Sequence, residues 1–126
     1  MNETFGLGPV GQISQRAVDL PRAVTFYRDT LGVPLLFEVP GIAFFDLDGL
    51  RMMLTKPSPG HDHPGSILYF SVSDIDSAHA TLTERGVTFD RGPYMLADMG
   101  DHELWMAFFK DSEANQLALM SEVAKA

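Results

Sequence analysis

DLPRAVTFYRDTLGV, residues 19–33, carries four signals of one amphipathic helix. Asp19 offers a side-chain oxygen to the first free amides, and Pro21 suits a first turn, where its missing N–H is not needed. Leu20, Ala23, Val24, Tyr27 and Leu31 recur at a helical spacing that puts them on one face, and Gly32 supplies the stop. Further along, DIDSAHATLTERGV begins at Asp74 and repeats the pattern, with Ile75, Ala78 and Leu82 on one face and Gly86 as the stop. Asp19 and Asp74 lie 55 positions apart, as do Ala23 and Ala78, while Gly32 and Gly86 lie 54 apart. The chain reads as a duplication.

Working outward, the flanks repeat as well. VGQISQRAV precedes the first helix and SILYFSVS the second. The β-type runs LLFEV, IAFFDL and LRMMLT follow the first, and VTFDR, a less regular YMLADM, LWMAFF and QLALMS follow the second. Each half thus reads as strand, helix, then three strands. Between them PSPGHDHPG, residues 57–65, holds three prolines and two glycines and reads as a loop. The expectation is one α+β domain over residues 1–126, with module 1 about 8–56, a linker at 57–65 and module 2 about 66–123.

Composition removes several classes of function. No cysteine is present, which excludes a disulfide framework, a thiol nucleophile and a cysteine-ligated zinc. The formal charge is −8 and the nine Lys and Arg are scattered, so the basic footprint of a nucleic-acid partner is missing. No run approaches the ~20 apolar residues of a membrane span, and MNETFGLGPVGQ lacks a basic stretch followed by an apolar core. A cytoplasmic protein with no membrane partner is expected. Walker, G-x-S-x-G and H-E-x-x-H motifs do not occur. Seven Met and thirteen aromatic residues are enough to line an adaptable apolar pocket, and equally to fill a core.

A duplicated βαβββ unit, with Val18-Asp19-Leu20 and Ser73-Asp74-Ile75 opening the helices, resembles the vicinal oxygen chelate (VOC) superfamily, of glyoxalase, bleomycin resistance protein and dioxygenase type. The similarity runs from Val10 to Glu122, and DLPRAVTFYRDTLGV is its most specific part. The turn Asp111-Ser112-Glu113-Ala114-Asn115 departs from the family's D-P-x-G-N by losing Pro and Gly. The resemblance implies a curved, partly open eight-stranded mixed sheet. It also implies four metal-ligand positions in the metal-dependent members, one in the first and one in the last strand of each half. These fall on Gln12, Met53, Ile67 and Ala118. Gln is accepted at the first position in some glyoxalases, but Met is a soft ligand and Ile and Ala donate nothing to a hard or borderline cation. No cofactor is therefore expected, and a divalent metal only through non-standard ligands.

Strand alternation extends the site. If those four positions face inward, so do Ser14, Arg16, Arg51, Thr55, Tyr69, Ser71, Gln116 and Met120, while Ile13, Met52, Leu54, Leu68, Phe70, Val72, Leu117 and Leu119 form an apolar opposite face. Gln12, Arg51, Met53, Ile67, Tyr69, Gln116 and Ala118 are the candidate ligand contacts on these strands. DMGDHELWMAFFK, residues 98–110, adds His102, Glu103 and Trp105: Trp105 or Phe109 could stack on a planar ligand, and His102 and Glu103 offer polar or acid–base contacts. Alternation alone leaves open which of them face inward. His61-Asp62-His63 reads as exposed linker unless a further donor lies nearby, and His79 as a partly buried helix residue.

The expected function is sequestration of an apolar or aromatic small molecule in the sheet cavity, as bleomycin-resistance proteins do; the acidic balance would suit a cationic one. The alternative is a metal-dependent lyase, isomerase or dioxygenase in which Gln12 acts with His102, Glu103 or a linker histidine. An interaction module without a ligand is a third reading. A homodimer is expected, since one chain of this size leaves a sheet face or edge to cover, and the modules can pair within a chain or between chains.

Overall fold

The computed structural model describes residues 5–60 and 62–125. The first module comprises β1 (Gln12–Arg16), α1 (Leu20–Thr25) continued by one π-helical turn (Phe26–Thr30), β2 (Leu35–Val39), β3 (Ile42–Leu47) and β4 (Leu50–Thr55). The second comprises β5 (Leu68–Ser71), α2 (Ile75–Glu84), β6 (Tyr94–Asp98), β7 (His102–Lys110) and β8 (Gln116–Ala124). Both helices start and stop where their sequences dictate. The Asp19 side chain accepts the Arg22 N–H at 3.2 Å and Asp74 accepts that of Ser77 at 3.1 Å. Gly32 and Gly86 take φ of 74° and 91°, a left-handed conformation that costs other residues about 1–2 kcal/mol.

The modules share one topology. The strand orders are β1-β4-β3-β2 and β5-β8-β7-β6, with the first and last strand of each module parallel and the other pairs antiparallel. The eight strands therefore form two four-stranded mixed sheets that stay open. VTFDR is a correction to the sequence reading: Phe89 makes a single bridge to Phe109 and nothing more. Gly92-Pro93 follows at once, and a proline cannot donate to a ladder. Val87 and Phe89 nonetheless pack inward, Phe89 against Phe109 with ring centroids 5.0 Å apart.

One face of each sheet is covered by helices. Ala43, Phe45, Met52 and Leu54 of the first sheet join Ala107, Phe109, Leu117 and Leu119 of the second, together with Leu20, Ala23, Val24 and Tyr27 and with Ile75 and Leu82, in a single core. Ile13, Leu68, Phe70 and Val72 pack at its edge, so the apolar set read from alternation is the helix face. Burying each such large side chain contributes about 1.5–3 kcal/mol. No described helix is long and apolar enough to cross a membrane.

A polar latch joins the modules. The turn at Asp111–Asn115 leaves the second sheet and docks on the start of α1: Glu113 Oε1 accepts the N–H groups of Val18 and Asp19, and its Oε2 accepts Arg22 Nη2 at 2.7 Å. Asn115 Nδ2 donates to the Arg16 carbonyl. Beneath them the buried Tyr27 hydroxyl donates to Asp111 Oδ2 at 2.6 Å. Burial, then the Asp111 charge, pushes the Tyr27 phenol far above its ordinary value. Burial pulls the Glu113 carboxyl upward, but the bonds from Arg22, Asp19 and Val18 outweigh it and hold that group below its ordinary range. Gln15, fully buried on the helix face, accepts the Ser66 N–H and so ties down the end of the linker.

Candidate functional site

The other face of each sheet carries no helix and is called here the open face. On the first sheet, register places Gln12, Ser14 and Arg16 of β1 beside Arg51, Met53 and Thr55 of β4, and these beside Ile42, Phe44 and Asp46 of β3. Phe37 and Val39 of β2 extend the same face, 50% and 42% exposed. Arg51 is held on two sides: its Nε donates to Gln12 Oε1 at 2.7 Å, and its guanidinium carbon lies 5.3 Å from the centroid of the Phe44 ring. Phe44 in turn packs on Phe37, centroids 4.7 Å apart and planes 30° apart.

The linker folds over the Arg16 end of this face. Asp62 pairs with Arg16 Nε at 2.7 Å, which holds the Asp62 carboxyl below its ordinary value. His63 Nδ1 accepts the Gly65 N–H, leaving the proton of a neutral ring on Nε2, which faces Ser14 Oγ at 3.4 Å. His61 lies outside the described residues. The linker pair thus serves the rim of the sheet.

On the second sheet, register puts Tyr69, Ser71, Gln116, Ala118, Met120 and Glu122 of β5 and β8 on the open face, with Ala118 itself buried. Partners directly opposite share a face, so Ala118 brings Phe108 with it, and with Phe108 come His102, Leu104 and Met106. Tyr69 meets Phe108 edge to face at 6.1 Å. Gln116 spends its amide N–H groups on the Phe109 and Leu117 carbonyls. His102 stands at the far end, its Nδ1 2.6 Å from Asp101 and its Nε2 3.7 Å from Glu122.

The alternation left open by the sequence is thereby decided. Glu103 and Trp105 lie on the helix side of β7, where the Trp105 indole N–H donates to Glu103 at 3.0 Å and its ring packs against the core. Phe109 is fully buried in that core. None of the three lines the open face with His102, and Phe108 is the exposed-side aromatic instead. The signal was present in the sequence: a five-residue turn makes Lys110 and Gln116 the closing pair of the β7–β8 hairpin, so an inward Gln116 fixes the parity of β7. His79 packs on Phe89 at 4.4 Å.

Residues 10–119 match the Glyoxalase/Bleomycin resistance protein/Dioxygenase superfamily. The chain belongs to this superfamily. The uncharacterized Bacillus subtilis protein YraH is 26% identical over 123 residues, 86% of this chain and 94% of its own. Among solved structures, TnmS3, an antibiotic binding protein from a Streptomyces species, is 23% identical with a TM-score of 0.74, covering 94% of this chain and 99% of its own. A lactoylglutathione lyase from Agrobacterium tumefaciens is 18% identical with a TM-score of 0.76, covering 92% and 95%. At these identities the structural likeness is one of fold.

The four positions that resemble the superfamily's metal ligands do not fit a divalent cation. Gln12 and Met53 are neighbours on the first sheet, Nε2 to Sδ 3.9 Å, but the Gln12 carbonyl oxygen already serves the Arg51 cation. Ile67 and Ala118 belong to the second module and offer hydrocarbon. Of the substitute donors, Gln12 and His102 lie on different sheets and Glu103 lies on the helix side of β7, while His61 is outside the described residues. Among the described residues no group of three or more His, Asp or Glu side chains is placed to hold a metal ion.

Proposed function

We propose that this protein binds an apolar or aromatic small molecule on its open sheet faces, without a metal, and acts as a binding protein rather than a metal-dependent lyase, isomerase or dioxygenase. The observation that carries this reading is the chemistry of the two faces. One has Phe37, Phe44 and Met53 around Arg51, the other Tyr69, Phe108 and Met120, and the positions suited to a cation hold Met, Ile and Ala. Flat rings and flexible thioethers make an adaptable wall for a planar compound. The antibiotic binding protein of the same fold supports the reading by analogy.

A homodimer fits these faces. Phe37, Val39, Ile67 and Tyr69 are each 42–50% exposed in one chain, and a second copy would cover them and enclose the ligand. The absence of cysteine suits the cytoplasm as its location.

The test is a thermal-shift screen of the purified protein against aromatic and glycopeptide compounds, run beside metal analysis of protein loaded with Zn, Ni, Mn, Co or anaerobic Fe(II) and desalted. The expected result is a raised Tm with at least one aromatic compound and no retained metal. Near one metal per chain or per dimer would overturn the reading.

A further inference from the structure

Resting on that reading, we infer that the ligand carries a carboxylate, and that Arg51 is its anchor, set beside the aromatic surface of Phe44 and Phe37. The chain as a whole carries a formal charge of −8, which would suit a cationic ligand. The local chemistry points the other way.

Arg16 on this face is engaged by Asp62, and Arg22 and Arg28 elsewhere are engaged by Glu113 and Asp29. Arg51 is not: none of the ion pairs among the described residues includes it. Asp46 stands opposite it in register, yet one of its oxygens accepts the Gly49 N–H and no Asp46–Arg51 ion pair forms. The single side-chain hydrogen bond of Arg51 uses Nε and is accepted by a neutral amide oxygen, that of Gln12. The charge is therefore kept, and the outer edge of the guanidinium, with both Nη groups, stays available.

That edge is a planar fork of donors whose spacing matches the two oxygens of a carboxylate. Its orientation is restricted beforehand by Gln12 on one side and the Phe44 face on the other, so less freedom is lost when an anion docks. The ring pair Phe44 and Phe37 lies next to the fork, with Phe37 half exposed. A flat ring bearing a carboxylate satisfies both features at once. Gln12, in this scheme, is a positioning residue: it holds the fork without cancelling its charge.

The experiment compares 2-naphthoate with 2-naphthamide by calorimetric titration at neutral pH, using the full chain and the variants Arg51→Lys and Gln12→Glu. Both rings have the same shape, and only the first is an anion. The acid is expected to bind roughly ten- to a hundred-fold more tightly than the amide, the range of a charged hydrogen-bonded pair. Arg51→Lys keeps the charge but loses the fork, and should remove most of the preference. Gln12→Glu preserves an acceptor for Nε while neutralising the guanidinium, and should abolish the preference without altering Tm at neutral pH by more than a few degrees.

Equal binding of acid and amide would overturn the carboxylate assignment while leaving the small-molecule reading in place. So would a preference that survives in both variants. If neither ring binds, the carboxylate assignment falls, and the thermal-shift screen then decides the small-molecule reading separately.

Discussion

The two modules have the same topology, yet the corresponding hairpins at the ends of their sheets do opposite work. The β3–β4 hairpin closes in two residues, Asp48 and Gly49, both at positive φ (57° and 97°), and both are exposed. The β7–β8 hairpin needs five residues, Asp111 to Asn115, and turns them inward onto α1 of the other module. Asp111 is 6% exposed and its two oxygens accept from the Glu113 and Asn115 amides, the Asn115 side chain and the Tyr27 hydroxyl. A duplicated unit can fold both halves by one pattern, but holding the halves together requires that one copy diverge. Here the divergence is a polar turn that satisfies the helix start across the boundary.

Removing the carboxylate at the centre of the longer turn should separate the two hairpins most clearly. Asp111→Ala leaves the buried Tyr27 hydroxyl and two backbone amides without their acceptor and is expected to cost about 3 kcal/mol or more in urea unfolding. Asp46→Ala, which removes the Gly49 contact in the shorter hairpin, should cost about 1 kcal/mol or less. Equal losses would show that the latch is no more than a turn.

Tyr27→Phe removes one donor from the same network while keeping the ring packed on Phe45 and Phe26. A loss of about 1–2 kcal/mol is expected from equilibrium unfolding.

Glu113 sharpens the comparison through pH. Its carboxyl is held below the ordinary glutamate value of 4.5, so its contribution is fully present above that value and disappears as pH falls through the lower folded value. Glu113→Gln should therefore lower Tm at neutral pH, with the gap to the parent protein closing at the acid end of a Tm–pH series. A gap that stays constant with pH would rule out the charged latch.

The smallest effect reverses sign. Ala114 adopts φ of 67°, where a β-carbon is strained, so Ala114→Gly should stabilise by about 0.5–1 kcal/mol after allowing for the extra freedom of glycine in the unfolded chain. Gly49→Ala in the other hairpin, at φ 97°, should destabilise.

Much of the fold could be read from the chain because its signals are local. Asp caps, helical apolar spacing and Gly stops act within a few residues, and duplication prints them twice; the αβ order followed from them, and the helix face and the parity of β1, β4, β5 and β8 from strand alternation anchored on the positions that the superfamily resemblance implies. VTFDR misled for a related reason: its alternation buries Val87 and Phe89 against the core with only a single bridge to β7. Of the candidate contacts, Gln12, Arg51, Met53, Tyr69, His102, Gln116 and Ala118 lie on open faces, whereas Glu103 and Trp105 lie on the helix side of β7.

By itself the sequence determined the repeat, the helices and the superfamily, since each rests on residues that are neighbours along the chain. Only the tertiary structure decided that Gln12 serves a cation on β4, that Phe108 rather than Trp105 faces outward, and that Glu113 caps a helix 94 residues away. Those are contacts between strands and modules, and their energies depend on distances that no local pattern encodes.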